Sequence, residues 1–445
     1  MNILFISLGC DKNLSDSEEM LGLLTERGHN IVNSEEEADA IVINTCCFIH
    51  DAKEESVETI LEMAEYKKAG SLKALIVTGC MAQRYKEEII QEIPEVDAVL
   101  GTTSYGDIVK ALDEVLKGKS FQEFRDINEL PAVSASRVLT TGGHFGYLKI
   151  AEGCDKHCTY CIIPSLRGRF RSIPEERLIQ QAEYMASQGV KELILVAQET
   201  TVYGTDIYGK KTLHLLLKKL CGIKGIRWIR VLYCYPEEIY DELIQVMKEE
   251  KKICHYLDLP IQHASDRILK RMGRRTSKEQ LVEIIGKLRR EIPDIILRTT
   301  LITGFPGETE EDHQELMEFV DEMEFDRLGV FTYSAEEGTP AASMDGQIPE
   351  ELKEARRDEL MELQQEISLE KGNERIGQEL LVMIEGKVSG ESAYIGRTYE
   401  DAPNVDGYLF VQTGELLMTG DFAKVRVTGA MEYDLIGELA DEYTE

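Results

Sequence analysis

Short apolar runs alternate with amphipathic segments through the first 120 residues of the chain. The runs NILFISL, AIVIN, ALIVTG and DAVLG have the length and the apolar character of buried strands. Helical periodicity follows each of them, over NLSDSEEMLGLLTERG and near residues 51–68, 82–91 and 105–117. This alternation predicts the α/β class, with a doubly wound parallel sheet whose strands are joined by crossover helices.

The alternation stops over residues 121–145 and then resumes. The interruption contains Pro131 and the Gly142-Gly143 pair, and we interpret it as a linker or a long connecting hairpin. Six further apolar runs follow it: YLKIAEG, ELILVAQ, WIRVLY, HYLDLPIQ, ILRTTLITG and RLGVFTYS. Helical patterns separate these runs, for example at 174–188, 237–249, 276–290 and 309–323. Because a complete barrel of this type has eight units, six units predict an open, partial (β/α)6 barrel.

The period changes again in the C-terminal part of the chain. Residues 349–373 form one long, charged helical pattern, which suits a helix that crosses between domains. From residue 376 the runs are short and β-like, and Gly and Asp punctuate them: ELLVMIEGKV, SAYIGRTY, GYLFVQ and AKVRVTGAM. They predict a small β-barrel. We therefore expect domains at 1–125, at 140–372 with the bridging helix, and at 375–445.

Composition narrows the class of partner. The 445 residues include 50 Lys and Arg against 82 Asp and Glu, which gives a net charge of −32. A chain this acidic repels a phosphate backbone, so nucleic acid is disfavoured as a direct substrate. No apolar stretch has the length of a membrane helix, and MNILFISLGC predicts a buried strand rather than a signal peptide. We expect a cytoplasmic protein in which the ten cysteines do not form structural disulfides. A clustered set of them is expected to bind metal or to do redox chemistry, and others to be buried apolar residues.

Three cysteines stand close together in the segment EGCDKHCTYCIIPS. The spacing of Cys154, Cys158 and Cys161 suits three ligands of a 4Fe-4S cluster whose fourth iron is open to a small molecule. A structural zinc site needs four protein ligands, and His157 would strain the geometry as the fourth. The alternative is three buried or incidental cysteines. The segment follows the first strand of the βα series, where barrel active sites gather.

Three more cysteines each follow a predicted strand. Cys10, Cys46 and Cys80 come after LFISL, IVINT and IVTG, and the carboxyl ends of parallel strands line one crevice. They either meet in a second cluster with one free iron or are separate buried cysteines, and spacing alone leaves both readings open. We treat Cys47 as non-ligating. The remaining three cysteines occupy positions typical of structural residues: Cys221, Cys234 and Cys254.

The C-x3-C-x2-C motif, with Tyr160 before its last cysteine, resembles the radical S-adenosylmethionine (SAM) superfamily. The resemblance implies that SAM chelates the open iron and is cleaved reductively to methionine and a 5′-deoxyadenosyl radical. Both cysteine sets and the order of the domains resemble the radical SAM methylthiotransferases over essentially the whole chain. That family implies an N-terminal domain with an accessory 4Fe-4S cluster, a central partial barrel and a C-terminal TRAM barrel. It also implies that Cys10, Cys46 and Cys80 ligate the accessory cluster.

Four segments are similar to the branch of the family that modifies a ribosomal protein. They are SLGCDKNLSDSE at 7–18, CIIPSLRGRFRSIP at 161–174, AQETTVYGTDIYG at 197–209 and EYDLIGEL at 432–439. This branch implies methylthiolation of the β-carbon of an aspartate of small-subunit ribosomal protein twelve, with two SAM and two clusters. It also implies an external electron donor and a sulfur donor. The alternatives are a tRNA adenosine methylthiotransferase and a non-catalytic iron–sulfur electron-transfer or binding protein.

The charge of the C-terminal segment bears on this choice. Residues 376–445 hold 14 acidic residues and 4 basic ones, a net charge of −10. An RNA-binding barrel is expected to be neutral or basic, whereas an acidic one fits a basic ribosomal protein. The alternative is that the acidity serves solubility. We expect Glu432 and Asp434 to belong to the docking surface.

Candidate SAM contacts lie near the ends of the barrel strands. Gln198 and Glu199 end the second strand and could hold the amino group of SAM, and Arg298 could pair its carboxylate. Gly304, in TGFPGETEED, permits close approach of an adenosyl group before a helix. Tyr160 completes the predicted cofactor contacts. We assign no catalytic acid or base. Weaker candidates are Asp258 and His263 near the fourth strand, and Arg167, Gly168 and Arg169 after the cluster loop.

Overall fold

The computed structural model of the chain describes residues 1–131 and 137–440. The middle of the predicted linker and the last five residues of the predicted C-terminal domain lie outside the described residues. Within the described ranges, no helix combines the length and the apolar character needed to cross a membrane.

The N-terminal sheet is parallel throughout and has the order β2-β1-β3-β4-β5-β6. Along β3, Ile41 and Ile43 pack into one apolar cluster while Ala40 and Val42 pack into another, so helices cover both faces. This confirms the doubly wound sheet. Its strands are β1 (Asn2–Ser7), β2 (Asn30–Val32), β3 (Ala40–Thr45), β4 (Ala74–Gly79), β5 (Ala98–Leu100) and β6 (Phe121–Glu123). Its helices are α1 (Asp11–Glu26), α2 (His50–Lys68), α3 (Cys80–Tyr85), α4 (Glu87–Glu92) and α5 (Ile108–Val115).

Two features of this sheet differ from the sequence prediction. The edge strands β2 and β6 have three residues each, too few to show a periodic pattern, and β6 falls in the segment that we interpreted as a linker. The single helix predicted near 82–91 is two helices. Lys86 breaks it with a backbone φ of 46°, an unusual value for a residue with a side chain.

The central sheet is the predicted open, six-stranded partial barrel, with the order β14-β13-β12-β11-β10-β7. Its strands are β7 (Phe145–Lys149), β10 (Glu192–Val196), β11 (Trp228–Val231), β12 (Ile253–Asp258), β13 (Ile296–Thr303) and β14 (Arg327–Thr332). A small antiparallel pair, β8 (Ala151–Glu152) and β9 (Arg171–Ser172), follows β7. The helices are α6 (Ile163–Arg167), α7 (Glu175–Ser187), α8 (Thr205–Tyr208), α9 (Leu213–Cys221), α10 (Asp241–Glu249), α11 (Asp266–Arg271), α12 (Lys278–Glu291), α13 (Glu310–Met323) and α14 (Glu350–Glu374).

The C-terminal barrel is closed and has five strands, in the order β15-β16-β17-β19-β18. They are β15 (Glu379–Lys387), β16 (Ala393–Thr398), β17 (Leu409–Gln412), β18 (Phe422–Ala430) and β19 (Leu435–Leu439). The small β-barrel is confirmed, and β19 is the strand that the hydrophobic pattern missed. The long helix α14 runs along β14 and leads into this barrel, as the sequence predicts.

The C-terminal barrel covers the amino ends of the central strands. Phe422 meets Trp228, the first residue of β11, at a ring-centroid distance of 4.8 Å. Glu192, the first residue of β10, accepts hydrogen bonds from Arg230 at 2.8 Å and from Arg397 at 2.5 Å. All three charged side chains are completely buried. At the opposite end of β7, its last residue, Lys149, pairs with Asp16 on α1 of the N-terminal domain.

Candidate functional site

The first three-cysteine site lies in the loop between β8 and α6. Cys154 and Cys158 are buried and Cys161 is half-buried. Burial is the largest cause that raises the pKa of Cys161 to about 12, and the neighbouring Cys158 and Cys154 also raise it. Three sulfurs that must ionise together in buried surroundings require a cationic partner. The donor set therefore fits an iron–sulfur cluster.

Hydrogen bonds from the barrel hold this cysteine loop in place. The backbone N–H of Thr159 donates to the carbonyl of Met272 at 2.8 Å, and the N–H of Ala341 donates to the carbonyl of Thr159 at 2.9 Å. Because Thr159 lies between Cys158 and Cys161, these bonds fix the loop against two separate segments of the barrel.

A stacked aromatic–cation group lies beside Cys158. The Tyr235 hydroxyl is 3.7 Å from Cys158 Sγ, and the Arg274 guanidinium lies 4.3 Å from the centroid of the Tyr235 ring. Arg274 is buried, and its Nε and Nη1 have no hydrogen-bond partner among the described residues. The ammonium of Lys156 lies 4.9 Å from the same ring. The two cations favour negative charge on the sulfurs. Lys156 lies within the cysteine motif, but no sequence motif had drawn attention to Tyr235 or Arg274.

Gln198 and Glu199 follow β10, as the sequence predicts. Glu199 is buried and its Oε1 accepts the backbone N–H of Thr201 at 3.0 Å. Its Oε2 and the Oε1 of Gln198 are buried without a partner in the described structure. Burial raises the pKa of Glu199 to about 7, and its charge acts on Cys154. An orphaned acceptor that acts on Cys154 fits the amino group of a bound SAM, and Gln198 supplies a second orphaned acceptor at the adjacent position in the chain.

The other predicted SAM contacts occupy different surroundings. Tyr160 is half-buried and its ring meets Phe305 edge-on at 6.5 Å. Arg298 on β13 is already paired, with Asp258 at 2.9 Å and with Asp406 of the C-terminal barrel at 3.3 Å.

Gly304 lies against the bridging helix α14. A Cβ added to Gly304 would lie 2.1 Å from Cγ of Lys353, so close packing against α14 already accounts for this glycine. The assignment of Tyr160, Arg298 and Gly304 to SAM stays a prediction.

The weaker candidates are held by interactions within the protein. His263 is fully buried, and its Nδ1 accepts the backbone N–H groups of Ala264 and Ser265 at 3.0 Å. Arg167 is buried and donates to Asp16 Oδ2 at 2.7 Å. Because Arg167 is buried and paired, it does not belong to a solvated basic turn.

The second three-cysteine site lies where β1, β3 and β4 end side by side. Cys10 precedes α1, Cys46 follows β3, and Cys80 begins α3. Cys46 and Cys80 are buried and Cys10 is half-buried. Burial raises the pKa of Cys46 to about 12, and the neighbouring Cys80 and Cys10 also raise it. As at the first site, crowded and buried thiols form a donor set that fits a cluster.

Two glycines allow these loops to approach one another. A Cβ on Gly9 would lie 2.9 Å from Cys46 Sγ, and a Cβ on Gly79 would lie 2.3 Å from Asn44 Oδ1. Gly79 also has a φ of 95°, which side-chain-bearing residues rarely adopt. The residues just before Cys10 and Cys80 must therefore be glycine for the three loops to meet.

One barrel segment contacts both cysteine sites. The Tyr233 hydroxyl donates to Asp11 Oδ2 at 3.1 Å, and Lys12 lies 3.2 Å from the centroid of the Tyr233 ring. Asp11 is the neighbour of Cys10 in the chain. Tyr235, two residues further on, contacts Cys158. Tyr233 also has a φ of 59°, a strained value for a residue with a side chain. Backbone strain of this kind is frequent at functional sites.

The three cysteines expected to be structural belong to the central barrel domain. Cys234 lies 3.3 Å from the Thr200 hydroxyl, Cys254 is a buried residue of β12, and Cys221 ends α9 half-buried. Over residues 1–131 and 137–440, no three His, Cys, Asp or Glu side chains converge as a single metal ion requires. A 4Fe-4S cluster instead spreads its ligands over four irons.

Three family models match consecutive parts of the chain. Residues 2–101 match the uncharacterized protein family UPF0004, residues 148–320 match the radical SAM superfamily, and residues 376–440 match the TRAM domain.

Relatives are similar over almost the whole chain. A protein of Lachnoclostridium phytofermentans is 66% identical over 98% of this chain and 99% of its own length. One of Pelotomaculum thermopropionicum is 52% identical over 97% and 98%, and one of Clostridium perfringens is 50% identical over 98% of each chain. All three bear the name ribosomal protein uS12 methylthiotransferase RimO.

Solved structures share the fold at low sequence identity. The radical SAM methyltransferase TsrM of Kitasatospora setae, solved with cobalamin and a [4Fe-4S] cluster, has a TM-score of 0.56 and 12% identity, and the match covers 76% of this chain and 73% of that one. The cobalamin-dependent enzyme OxsB has a TM-score of 0.53 and 14% identity, with 81% and 56% covered. These likenesses show the fold alone.

Proposed function

The chain belongs to the ribosomal protein uS12 methylthiotransferase family, RimO, and from that premise we propose that it adds a methylthio group to the β-carbon of an aspartate of uS12. It is a radical SAM enzyme and uses SAM and 4Fe-4S cluster chemistry. The observation that carries the proposal is the pair of buried three-cysteine sites. The segment from Tyr233 to Tyr235 connects them, because Tyr233 contacts Asp11, which is next to Cys10, and Tyr235 contacts Cys158.

We assign one cluster to each cysteine set. Cys154, Cys158 and Cys161 would hold the cluster that works with SAM, and Cys10, Cys46 and Cys80 would hold the accessory cluster. When bound, these groups supply one-electron cleavage of SAM and sulfur for transfer, which acid–base side chains cannot supply at an unactivated carbon. The chain itself provides two buried sets of thiolates and the cations that stabilise them.

The residues around the first cysteine site would orient SAM. The unpartnered oxygens of Gln198 and Glu199 would accept hydrogen bonds from its amino group. Burial of Glu199 excludes water from that contact, which strengthens the attraction to a cation. The buried guanidinium of Arg274 has two free donor atoms beside the cysteine loop and is a candidate partner for an anionic group.

We propose that the acidic C-terminal barrel docks uS12, which as a ribosomal protein is expected to be basic. Glu391 and Glu415 are exposed, and their loops are neighbours because Thr413 N donates to Ser392 O at 3.2 Å. Asp434 is less suited to docking than the sequence suggested, because its carboxylate accepts the backbone N–H of Tyr408 at 2.7 Å and so supports a turn.

Membership of the family also implies reaction partners and a compartment. We propose an external electron donor and a sulfur donor, and we place the reaction in the cytoplasm, where ribosomal proteins are made. We also propose domain boundaries of 1–125, 140–372 and 375–445.

An anaerobic assay separates this function from its rivals. Reduced enzyme is incubated with SAM and sulfide, first with uS12 and then with tRNA, and both products are digested and examined by mass spectrometry. We expect methylthiolated uS12 together with 5′-deoxyadenosine. Modified tRNA as the sole product would favour a tRNA methylthiotransferase, and failure to form 5′-deoxyadenosine would favour a non-catalytic iron–sulfur protein.

A further inference from the structure

The side chain of Asn13 contacts all three segments that carry the second cysteine site. Asn13 lies in the first turn of α1 and is completely buried. Its Nδ2 donates to the carbonyl of Leu8 at 3.1 Å and to the carbonyl of Thr45 at 2.9 Å. Its Oδ1 lies 3.8 Å from Cys80 Sγ. Leu8 and Thr45 come shortly before Cys10 and Cys46, so one amide reaches all three loops.

The neighbours of Asn13 require an amide in one orientation. An amide has two N–H donors and one acceptor oxygen. Both donors meet carbonyl oxygens, and the acceptor meets the guanidinium of Arg167. A flipped amide would set its oxygen against two carbonyls and its nitrogen against a cation. An aspartate has almost the same shape but lacks both donors, so it separates hydrogen bonding from packing.

Arg167 extends this arrangement to the first cysteine site. Its guanidinium donates to Asn13 Oδ1 and to Asp16 Oδ2 on α1, and also to Glu152 Oε1 at 3.3 Å. Glu152 ends β8, two residues before Cys154, and Arg167 itself ends α6, which follows Cys161. The arginine therefore joins the helix that begins after Cys10 to both ends of the Cys154–Cys161 loop.

We propose that Asn13 is a positioning residue that sets the mutual placement of Cys10, Cys46 and Cys80, and that Arg167 fixes this site relative to the Cys154 loop. The inference rests on the proposed accessory cluster and names the residues that shape its site. Apolar side chains at positions 13 and 167 would fill the same space. They have no N–H groups, however, so they could not donate to the carbonyls of Leu8 and Thr45.

The matched control for Asn13 is on the same helix. Ser15 is also completely buried, and its hydroxyl has no hydrogen-bond partner in the described part of the chain. Ser15→Ala therefore perturbs the interior of α1 without removing a contact to the cysteine loops. The Cys154 site serves as an internal control in each molecule, because its cluster reports whether the rest of the chain has folded.

The experiment measures iron per chain and the electron paramagnetic resonance of the reduced, anaerobically purified protein. We expect about eight irons in the natural chain, and about four in both Cys10→Ala and Asn13→Asp, which also lose the accessory signal. Ser15→Ala should retain both signals, and 5′-deoxyadenosine formation should persist in Asn13→Asp. Arg167→Lys should keep about eight irons but release several times more 5′-deoxyadenosine per methylthiolated uS12.

Each contrary result has its own meaning. If Cys10→Ala keeps the iron content of a natural chain with about eight irons, Cys10 holds no cluster and this inference fails. If the natural chain itself has only about four irons, the accessory cluster is absent, and the proposed function and this inference both fail. If Cys10→Ala loses iron while Asn13→Asp keeps eight irons and an unchanged signal, only the positioning role is overturned. If Arg167→Lys gives the natural product ratio, the link between the two sites is overturned.

Discussion

Removing Arg397 should loosen the C-terminal barrel from the central barrel. Its guanidinium donates to Glu192 Oε2 at 2.5 Å, to Glu385 Oε1 at 2.9 Å and to the carbonyl of Asp401 at 2.8 Å. Arg397 and Glu192 have no exposed side-chain surface. Arg397→Ala would leave Glu192 with Arg230 as its remaining cation and would leave the other two acceptors without this donor.

The structure sets the size of this effect. Removal of one partner from a buried ion pair costs about 3–5 kcal/mol, because the remaining charge stays buried. For a domain of the size of the central barrel domain, that loss of free energy of unfolding corresponds to a fall in Tm of about 10 °C. Arg426→Ala is the matched control, since Arg426 lies in the same barrel and pairs with Glu379 while 54% of its side chain is exposed. An exposed pair contributes at most about 1 kcal/mol.

Anaerobic differential scanning calorimetry of the two variants tests the prediction. Arg397→Ala should melt well below the natural chain, and Arg426→Ala should melt within a few degrees of it. Methylthiolation of uS12 should also fall more than SAM cleavage in Arg397→Ala, because the barrel proposed to dock uS12 is no longer fixed. Equal melting temperatures for the two variants would refute the reasoning that the buried network holds the barrels together.

Three further predictions follow from individual residues. Gly79→Ala should lose about half of its iron, because the new Cβ would clash with the loop before Cys46, whereas Gly28→Ala, which has open space around it, should keep all of its iron. Burial raises the pKa of Glu400 from its ordinary value of 4.5 to about 7. The folded state therefore holds this proton more tightly than the unfolded state, and its loss lowers the free energy of unfolding progressively as the pH rises above 4.5. Glu400→Gln should therefore gain Tm relative to the natural chain at pH 8 but not near pH 5, and a gain independent of pH would contradict this. Glu391→Lys combined with Glu415→Lys should raise the KM for uS12 about fivefold and leave SAM cleavage unchanged. The factor follows from two exposed contacts that contribute about 0.5 kcal/mol each. An unchanged KM would mean that this charge serves solubility.

The architecture was predictable where a strand or helix is long enough for its own hydrophobic pattern to be recognised. Strands such as Ala40–Thr45 and Ile296–Thr303 are continuous apolar or alternating runs, and helices of ten or more residues show their period clearly. The three-residue edge strands carry no such signal. The convergence of the strands that precede Cys10, Cys46 and Cys80 could be expected because parallel strands end at one edge.

The partners of charged residues were not predictable in the same way. Arg298 invited a pairing with a bound carboxylate, but Asp406 reaches it from the C-terminal barrel, more than a hundred positions further along the chain. Arg167 gave no hint of its contact with Asn13, on a helix at the start of the chain. Such long-range ion pairs depend on how the domains dock, and neither periodicity nor local motifs record that.

The most direct test of the central claim is tandem mass spectrometry of uS12 after anaerobic incubation with reduced enzyme, SAM and sulfide. We expect one methylthio group on the β-carbon of a single aspartate, formed together with 5′-deoxyadenosine. A matched reaction with Cys154→Ala should give neither product. Unmodified uS12 in a reaction that forms 5′-deoxyadenosine, or a methylthio group found on tRNA instead, would contradict the claim.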